Sequence, residues 1–451
     1  MFAGACLVLV MCTTPKEERL QLVPLAQRLV FAIFTFQYDS SQTPFPRNLR
    51  VFANDHIAQL DWTLAGGSWR HSVWGDSLSL GLNHSIPPTG SQLAIRFSPA
   101  MHQASNLFQQ HVNDLFKLSS LPNDVIEFSE SSDSVWRLGP KEVLCLENLL
   151  PWLRMLPCKS QRGLGQLLDP YLLLKSNYLA ISLHLSISEN KSIKVAQNLF
   201  VLLDLDYLES DPFSLFGLFQ FKGIPKTCSF SSSVSIQPHE LTRQFENIHF
   251  DLATAPQSSP TLKYNRYVLG HGKLQGGFLY VIQNSSPTAS FKITLIDKFP
   301  YFLRVFFHSL QIDSSMSATI QSSFDCLNVS TEMPPSSRVR ISIQFEKKLL
   351  PESEYPPDIS RGFDLPNPIL VVDEHQLFLD PAVVLLPSPD LSMPFNVIAI
   401  TSTLFAFLFG NLYNALFRDA EMLAEEQNKV SERLNKILTR FRRSGTKEKA
   451  E

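Results

Sequence analysis

The chain is poor in charge. Asp, Glu, Lys and Arg make up 18% of its 451 residues and leave a formal net charge of −3. A balance so weak excludes the basic surface that nucleic-acid binding demands. Cysteine is scarce as well. With the first twelve residues set aside as a leader, Cys145, Cys158, Cys228 and Cys326 are left, too few for a disulfide scaffold and without the CxxC spacing of a metal site. Glycine is thin beside proline, at 18 against 30. Proline-rich, serine-rich connections of this kind predict many short strands separated by turns. No internal repeat is visible, and no histidine cluster suggests a metal or cofactor, so neither is expected.

What is present suffices for two or three cores, since 44% of the residues are hydrophobic. Strand periodicity is plain in two places. Leu179, Ile181, Leu183, Leu185 and Ile187 alternate with Ala180, Ser182, His184 and Ser186, the period-two pattern of a half-buried strand. Val339, Ile341, Ile343 and Phe345 repeat it between Arg338 and Glu346. One segment reads as helix, because Leu107, Phe108, His111, Val112, Leu115 and Phe116 recur at three and four residue spacing. The expected fold class is mainly β: an antiparallel β-sandwich ectodomain, with two β-domains and few helices. The serine-rich stretch from Ser210 through Ser233 is the expected boundary between them.

The run from Phe395 to Phe417 carries no charge between Asp390 and Arg418. Its length exceeds the roughly 20 residues a helix needs to cross a bilayer, so one transmembrane helix is expected. Within it, Asn396, Gly410, Asn411 and Asn414 are suited to facing neighbouring helices. Lys436, Arg440, Arg442, Arg443, Lys447 and Lys449 follow, a basic tail of the sort retained in the cytosol. The bulk of the chain is then luminal. Residues 1–12 form an apolar run of signal-peptide length, although no basic residue precedes it. Sequons at Asn83, Asn190, Asn284 and Asn328 fit a secretory-pathway chain; Pro287, after its serine, weakens the one at Asn284.

Motifs that suggest enzymology fail on context. Gly270, Gly272 and Gly276 imitate a dinucleotide loop, but the spacing is GxGxxxG and a strand pattern follows, so a hairpin turn is expected. Asp204 and Asp206 form a DxD, but they alternate with Leu203, Leu205 and Tyr207 as in an ordinary strand. Cys158 stands in Leu-Pro-Cys-Lys-Ser, which is no nucleophile context, and His184 and His308 lie in strand patterns. No catalytic residue is assigned.

The segment EVLCLENLLPWLRMLPCKSQRGLGQLL, from Glu142 to Leu168, resembles the cysteine-containing segment of the PIG-T family, the non-catalytic subunit of the GPI transamidase. Further segments match that family in the same order: EERLQLVPLAQRLVFAIFTFQYDSS, GGSWRHSVWG with Trp69, Arg70 and Trp74, RYVLGHGKLQGG, YFLRVFFHSLQI, RVRISIQFEKKLLPESEYPPDISRGF and LPSPDLSMPFNV. Agreement weakens around 185–260 and 313–335. One departure concerns glycosylation. Many relatives carry a sequon before the family cysteine, where this chain has Asn148-Leu-Leu.

The resemblance implies that Cys158 forms an interchain disulfide to the caspase-like catalytic subunit PIG-K. With Cys158 so used, the expected intrachain pair is Cys145 with Cys228, although spacing does not fix connectivity. Further implied partners are PIG-S, PIG-U and the GAA-type subunit, together with the GPI glycolipid. The chain is then an accessory subunit that stabilises the catalytic subunit and helps position the lipid. It sits in the endoplasmic reticulum membrane as a single-pass type I protein. Asp390 and Ser392 lie on the luminal approach to the helix, where the Asp390 carboxylate would accept a charge-assisted hydrogen bond from the amine of a GPI glucosamine and the Ser392 hydroxyl would add a weaker one. Ser360 is a further polar contact in the family pattern, at a position where relatives can carry an amide. The expected organisation is a signal peptide at 1–12, β-rich domains at 13–220 and 221–386, a linker at 387–394, the transmembrane helix at 395–417 and the cytosolic tail at 418–451. The alternative reading is a free-standing type I β-sandwich glycoprotein, an adhesion or cargo-receptor module.

Overall fold

The computed structural model describes residues 17–40, 49, 57–82, 84–97, 126–128, 134–138, 144–187, 192–208, 213–237, 247–249, 261–313, 318–322, 326–355, 359–373, 375–387 and 392–444. The expected signal peptide and the expected helix over 107–116 lie outside them. Residues up to Pro387 form one compact unit, and Ser388–Glu451 form another.

The first half of the compact unit is built on a nine-stranded sheet. Its strands are β1 (Glu17–Leu25), β2 (Leu29–Asp39), β3 (Ile57–Gly67), β4 (Gly90–Phe97), β5 (Ile126–Phe128), β6 (Ser134–Leu138), β7 (Tyr178–Ile187), β8 (Ile193–Asp204) and β9 (Ser231–Ile236). They run in the spatial order β5-β6-β4-β3-β7-β8-β2-β1-β9. Neighbours pair antiparallel throughout, except that β9 joins β1 in parallel. Short helices interrupt the strands: α1 (His71–Trp74), α2 (Leu146–Met155), α3 (Pro170–Leu174) and α4 (Leu215–Leu218).

Strand alternation decides what each face buries. On one face Leu179, Ile181, Leu183 and Leu185 of β7 pack with Phe34, Trp62, Leu199 and the Leu149, Trp152 and Leu153 side of α2. On the other face Tyr178 and Ala180 join Phe31, Phe200 and Leu202 beneath Trp74, with Trp69 against them. The start of β7 is therefore covered on both sides, and the half-buried pattern holds only toward His184 and Ser186. The Trp-rich turn supplies that second cover. Trp69 lies 5.2 Å from Trp74, 5.3 Å from Tyr178 and 4.5 Å from Phe31, ring centre to ring centre.

The second half is the sandwich that the sequence predicts. A sheet ordered β10-β11-β16-β13 is formed by Leu262–Leu269, Gln275–Asn284, Arg338–Lys347 and Leu303–Asp313. A second, ordered β14-β15-β12-β18-β19, is formed by Ala318–Ser322, Cys326–Met333, Phe291–Lys298, Ile369–Val372 and His375–Phe378. Val339, Ile341, Ile343 and Phe345 fill the core between them with Leu295, Val329 and Leu370. A ribbon of β17 (Phe363–Leu365) and β20 (Ala382–Val384) closes one end.

Two expectations are revised by this topology. Among the described residues only the second half is a two-sheet sandwich; the first is one sheet with α2, α3 and α4 over one face and the α1 turn over part of the other. The division at 220/221 also shifts, because Val234 and Ile236 of β9 belong to the first core. By sheet membership the change falls between Ile236 and Leu262.

The last helix, α5 (Ser392–Ser444), is long and apolar enough to cross a membrane, with a stretch of mean hydropathy 1.7. Its polar side chains in that stretch satisfy themselves: Thr401, Ser402 and Thr403 donate to the carbonyls of Val397, Ile398 and Ile400. The helix does not stop at Phe417 but continues through much of the basic tail.

Candidate functional site around Cys158

Cys158 is delivered by α2, which the sheet anchors. Its Trp152 donates through Nε1 to the carbonyl of Ser182, 3.0 Å away. The carbonyls at its C-terminal end are claimed by buried side chains of neighbouring strands. Tyr38 Oη donates to Met155 O at 3.0 Å, and Gln197 Nε2 donates to Trp152 O at 3.3 Å. These are the orphan acceptors that every helix end leaves to be satisfied. Leu156 then turns extended (φ −59°, ψ 152°), as the residue before Pro157 must.

The next turn is strained. Cys158, Lys159 and Ser160 have φ of 54°, 52° and 55°, a left-handed conformation costing about 1–3 kcal/mol per non-glycine residue. Surrounding bonds over-determine it. Lys159 N donates to Leu156 O at 2.9 Å, and Gln161 N to Cys158 O at 3.1 Å. Gly163 N donates to Lys226 O at 2.7 Å, while Lys226 N donates to Gln166 Oε1 at 2.9 Å. Beneath the turn, Glu18 of β1 accepts from Leu164 N at 3.1 Å and from the hydroxyl of Ser232 in β9. Burial is the larger effect on Glu18 and raises its carboxyl above the ordinary value, against the two hydrogen bonds.

The disulfide differs from the expected one. Cys228 is bonded to Cys158, with the Cα atoms 6.4 Å apart across a sequence separation of 70. Cys145, expected to pair with Cys228, is instead an exposed thiol at the head of α2, donating to Asn148 Oδ1. The reason is tertiary: the Gly163–Lys226 and Gln166–Lys226 bonds dock the 222–228 segment onto the Cys158 turn. No sequence spacing carries that information. Because a sulfur forms one disulfide at a time, the intrachain bond to Cys228 excludes the expected interchain bond while it stands. Both cysteines of the pair are half-buried. Lys159, Arg162, Lys222 and Lys226 are all exposed around it, and neither 156–168 nor 219–228 contains a carboxylate. These exposed cations favour the thiolate form of a departing cysteine, with the Glu18 carboxyl beneath the turn as the opposing group.

The other expected residues are scattered. Ser360 is exposed in a short turn, Ile359–Arg361, of the compact unit; Ser392 begins α5 in the other unit; Asp390 lies outside the described residues. Asn83 and Asn190 are also outside them. Asn328 is half-buried on β15. Asn284 is no exposed acceptor: it is 1% exposed and its Nδ2 donates to Ala289 O and Pro334 O at 2.8 and 2.9 Å. The glycine motif is the expected hairpin. Gly270 and Gly272 (φ 81° and 71°) turn β10 into β11, and a Cβ on Gly270 would meet Gln275 O at 2.5 Å. Asp204 ends β8 and caps a single turn, accepting from Asp206 N at 3.0 Å, while Asp206 pairs with exposed Arg28. Among the described residues no His, Cys, Asp and Glu group has the makings of a metal site.

Comparison with known proteins covers the same ground. The family model described as Gpi16 subunit, GPI transamidase component, matches residues 117–211 and 224–442. The mouse GPI-anchor transamidase component PIGT is 24% identical over 94% of this chain and 93% of its own length. Its human counterpart is 24% identical over 94% of each. The PIG-T homologue of Schizosaccharomyces pombe is 27% identical over 90% of this chain and 87% of that protein. The matched residues take in α2, the Cys158 turn, the sandwich and most of α5, and the chain accordingly belongs to the Gpi16 family of GPI transamidase components.

Proposed function

We propose that this chain is a non-catalytic subunit of a GPI transamidase that braces the caspase-like catalytic subunit PIG-K and helps hold the GPI lipid for transfer. The family match running through the Cys158 turn is the observation that carries this reading. In it the ectodomain is luminal in the endoplasmic reticulum, α5 packs among PIG-S, PIG-U and the GAA-type subunit, and the chain is single-pass type I. Ser360, Asp390 and Ser392 contribute polar contacts to the lipid headgroup. No residue of this chain serves as nucleophile or general base.

The tether to PIG-K forms by exchange. A thiolate of the partner attacks Cys158 Sγ, the new interchain disulfide forms, and Cys228 leaves as a thiolate. The exposed lysines and arginine beside both cysteines support exchange at this disulfide, and the family cysteine, Cys158, sets which sulfur is attacked in this reading.

Co-expression with PIG-K tests the reading on a non-reducing gel. A covalent complex is expected from the wild type and from Cys228→Ser, and only a non-covalent one from Cys158→Ser, which should lower but not abolish GPI attachment. A wild-type chain that never links to PIG-K removes the tether. Turnover by the purified ectodomain alone, abolished by a point change within it, removes the non-catalytic assignment. For the lipid contacts, Asp390→Ala should leave assembly intact and reduce surface display of GPI-anchored proteins; unchanged display makes the 387–394 segment a spacer.

A further inference from the structure

The second face of the nine-stranded sheet changes character along its strands. Near Trp69 it is apolar, with Phe31, Ala180 and Leu202. Further along the same face the side chains become polar: Gln37 of β2, Asp61 and Thr63 of β3, Ser182 and His184 of β7, and Asn198 of β8. This polar end is not open sheet. His84 and Pro87 cover it from the first half, and Gln376 and Phe378 of β19 cover it from the sandwich, enclosing a cleft of about 590 Å³. That volume lies in the range of about 300–1,000 Å³ where small-ligand sites fall. His71 fastens the two halves beside it. Its ring stacks on Tyr264 at 4.4 Å, its Nε2 is 3.1 Å from Tyr264 O, and its Nδ1 is 3.5 Å from Asp380 Oδ1.

The floor of the cleft has hydrogen-bonding capacity that the protein does not use. Asn198 is 9% exposed; its Nδ2 donates to Ser182 Oγ at 3.1 Å, but its Oδ1 is buried without a partner. Thr63 Oγ1 is buried without one too. An unmet buried polar group is costly, a cost that an entering donor removes after a side-chain rotation. Asp61 accepts from Gln59 Nε2 at 2.9 Å and faces His184 Nδ1, and still offers lone pairs.

Charge and backbone restrict what enters. Among the described residues lining the cleft the one carboxylate, Asp61, faces His184, and Glu17 at its rim pairs with Arg19 at 2.8 Å, so the lining itself carries no surplus charge to select a phosphate or a cation. His84 is held toward its neutral form by burial and by Arg19. The floor is a sheet face whose central strands are paired on both sides, so no main-chain edge is free to take an extended peptide by strand addition. Recognition must run through amides, hydroxyls and one carboxylate, with Pro87 and Phe378 as the apolar wall. Sugar hydroxyls, which donate and accept at once, match that set.

We propose that this cleft is a binding site for a neutral oligosaccharide. The site stands independently of the reading of Cys158 and of the lipid contacts. The test uses the full-length chain in detergent micelles against immobilised neutral oligosaccharides of two groups, glycans released from proteins and delipidated glycans of glycolipids. Binding to either group supports the site, and the group that binds names the source. Asn198→Leu, nearly isosteric, should weaken binding at least about tenfold through loss of the buried acceptor. Gln37→Ala, at an exposed position, should weaken it by about threefold with the melting temperature unchanged, and serves where Asn198→Leu fails to fold. No binding in either group, equal binding by both folded variants, or capture of an extended peptide in place of sugars overturns the proposal.

Discussion

A Cβ placed on Gly163 would lie 2.2 Å from Glu18 Oε1, so the turn that carries Cys158 and the first strand of the sheet are built against each other. Glu18 has little freedom to retreat, since it is buried and holds Leu164 N and Ser232. The backbone of Gly163, at φ 67°, adds its own penalty to any side chain. Gly163→Ala should therefore lose about 2–4 kcal/mol, combining the left-handed cost with overpacking. Denaturant unfolding of the ectodomain checks this, and a midpoint equal to wild type would mean that the turn is looser than described.

Glu18 also makes a prediction about pH. Its folded pKa is raised above the ordinary 4.5, with burial the dominant cause. The folded state then holds the proton more tightly than the unfolded chain, so this group's contribution is fully present below about 4.5 and is lost as pH rises through the folded value. Glu18→Gln cannot ionise and is free of that loss. Melting temperatures from pH 4 to 8 should shift in favour of the variant as pH rises, and parallel curves would contradict the assignment.

In the sandwich core Arg266 Nη1 stands 3.3 Å from Asp297 Oδ2, with side chains 1% and 0% exposed, and Tyr280 Oη donates to the same carboxylate. Burial outweighs the guanidinium and holds the Asp297 carboxyl above its usual range. Arg266 Nε and Nη2 meet no partner, so the pair is incompletely satisfied. Asp297→Ala leaves a buried cation uncompensated and should cost about 3–5 kcal/mol. The double change Arg266→Met with Asp297→Leu should cost less than that single one. A larger loss in the double variant would show that the ion pair itself stabilises the fold.

Asn284 is expected to carry no glycan in the folded protein, because its amide nitrogen is engaged by Ala289 O and Pro334 O and its Oδ1 accepts from Ser286 N at 2.9 Å. Asn284→Gln should leave the glycosidase-sensitive mass unchanged. It should lower stability by about 1–3 kcal/mol through loss of these bonds. A glycosylated Asn284 peptide in a mass spectrum would refute the first part.

Local signals were legible where one face of an element met one environment. The alternation in β16 and the Gly270 hairpin follow from side-chain period and backbone freedom, and both form as the residues imply. The β7 pattern was legible on its odd positions only. Its first even positions, Tyr178 and Ala180, are buried by Trp69 and Trp74 from a distant turn, and no window around Leu179 contains that cover. The division between halves was misplaced for a similar reason: β9 follows a serine-rich stretch but returns to the edge of β1.

The sequence by itself determined the β-rich class, the charge-free run that becomes α5, and the family, because period, hydropathy and ordered motifs are properties of neighbouring residues. Only the tertiary structure decided that Cys158 meets Cys228 and leaves Cys145 a thiol, that Asn284 is sealed, and that one end of a sheet face becomes a cleft. Each of those outcomes depends on contacts between residues far apart in the chain. Chain closure brings such residues together, and residue type alone does not encode which ones meet.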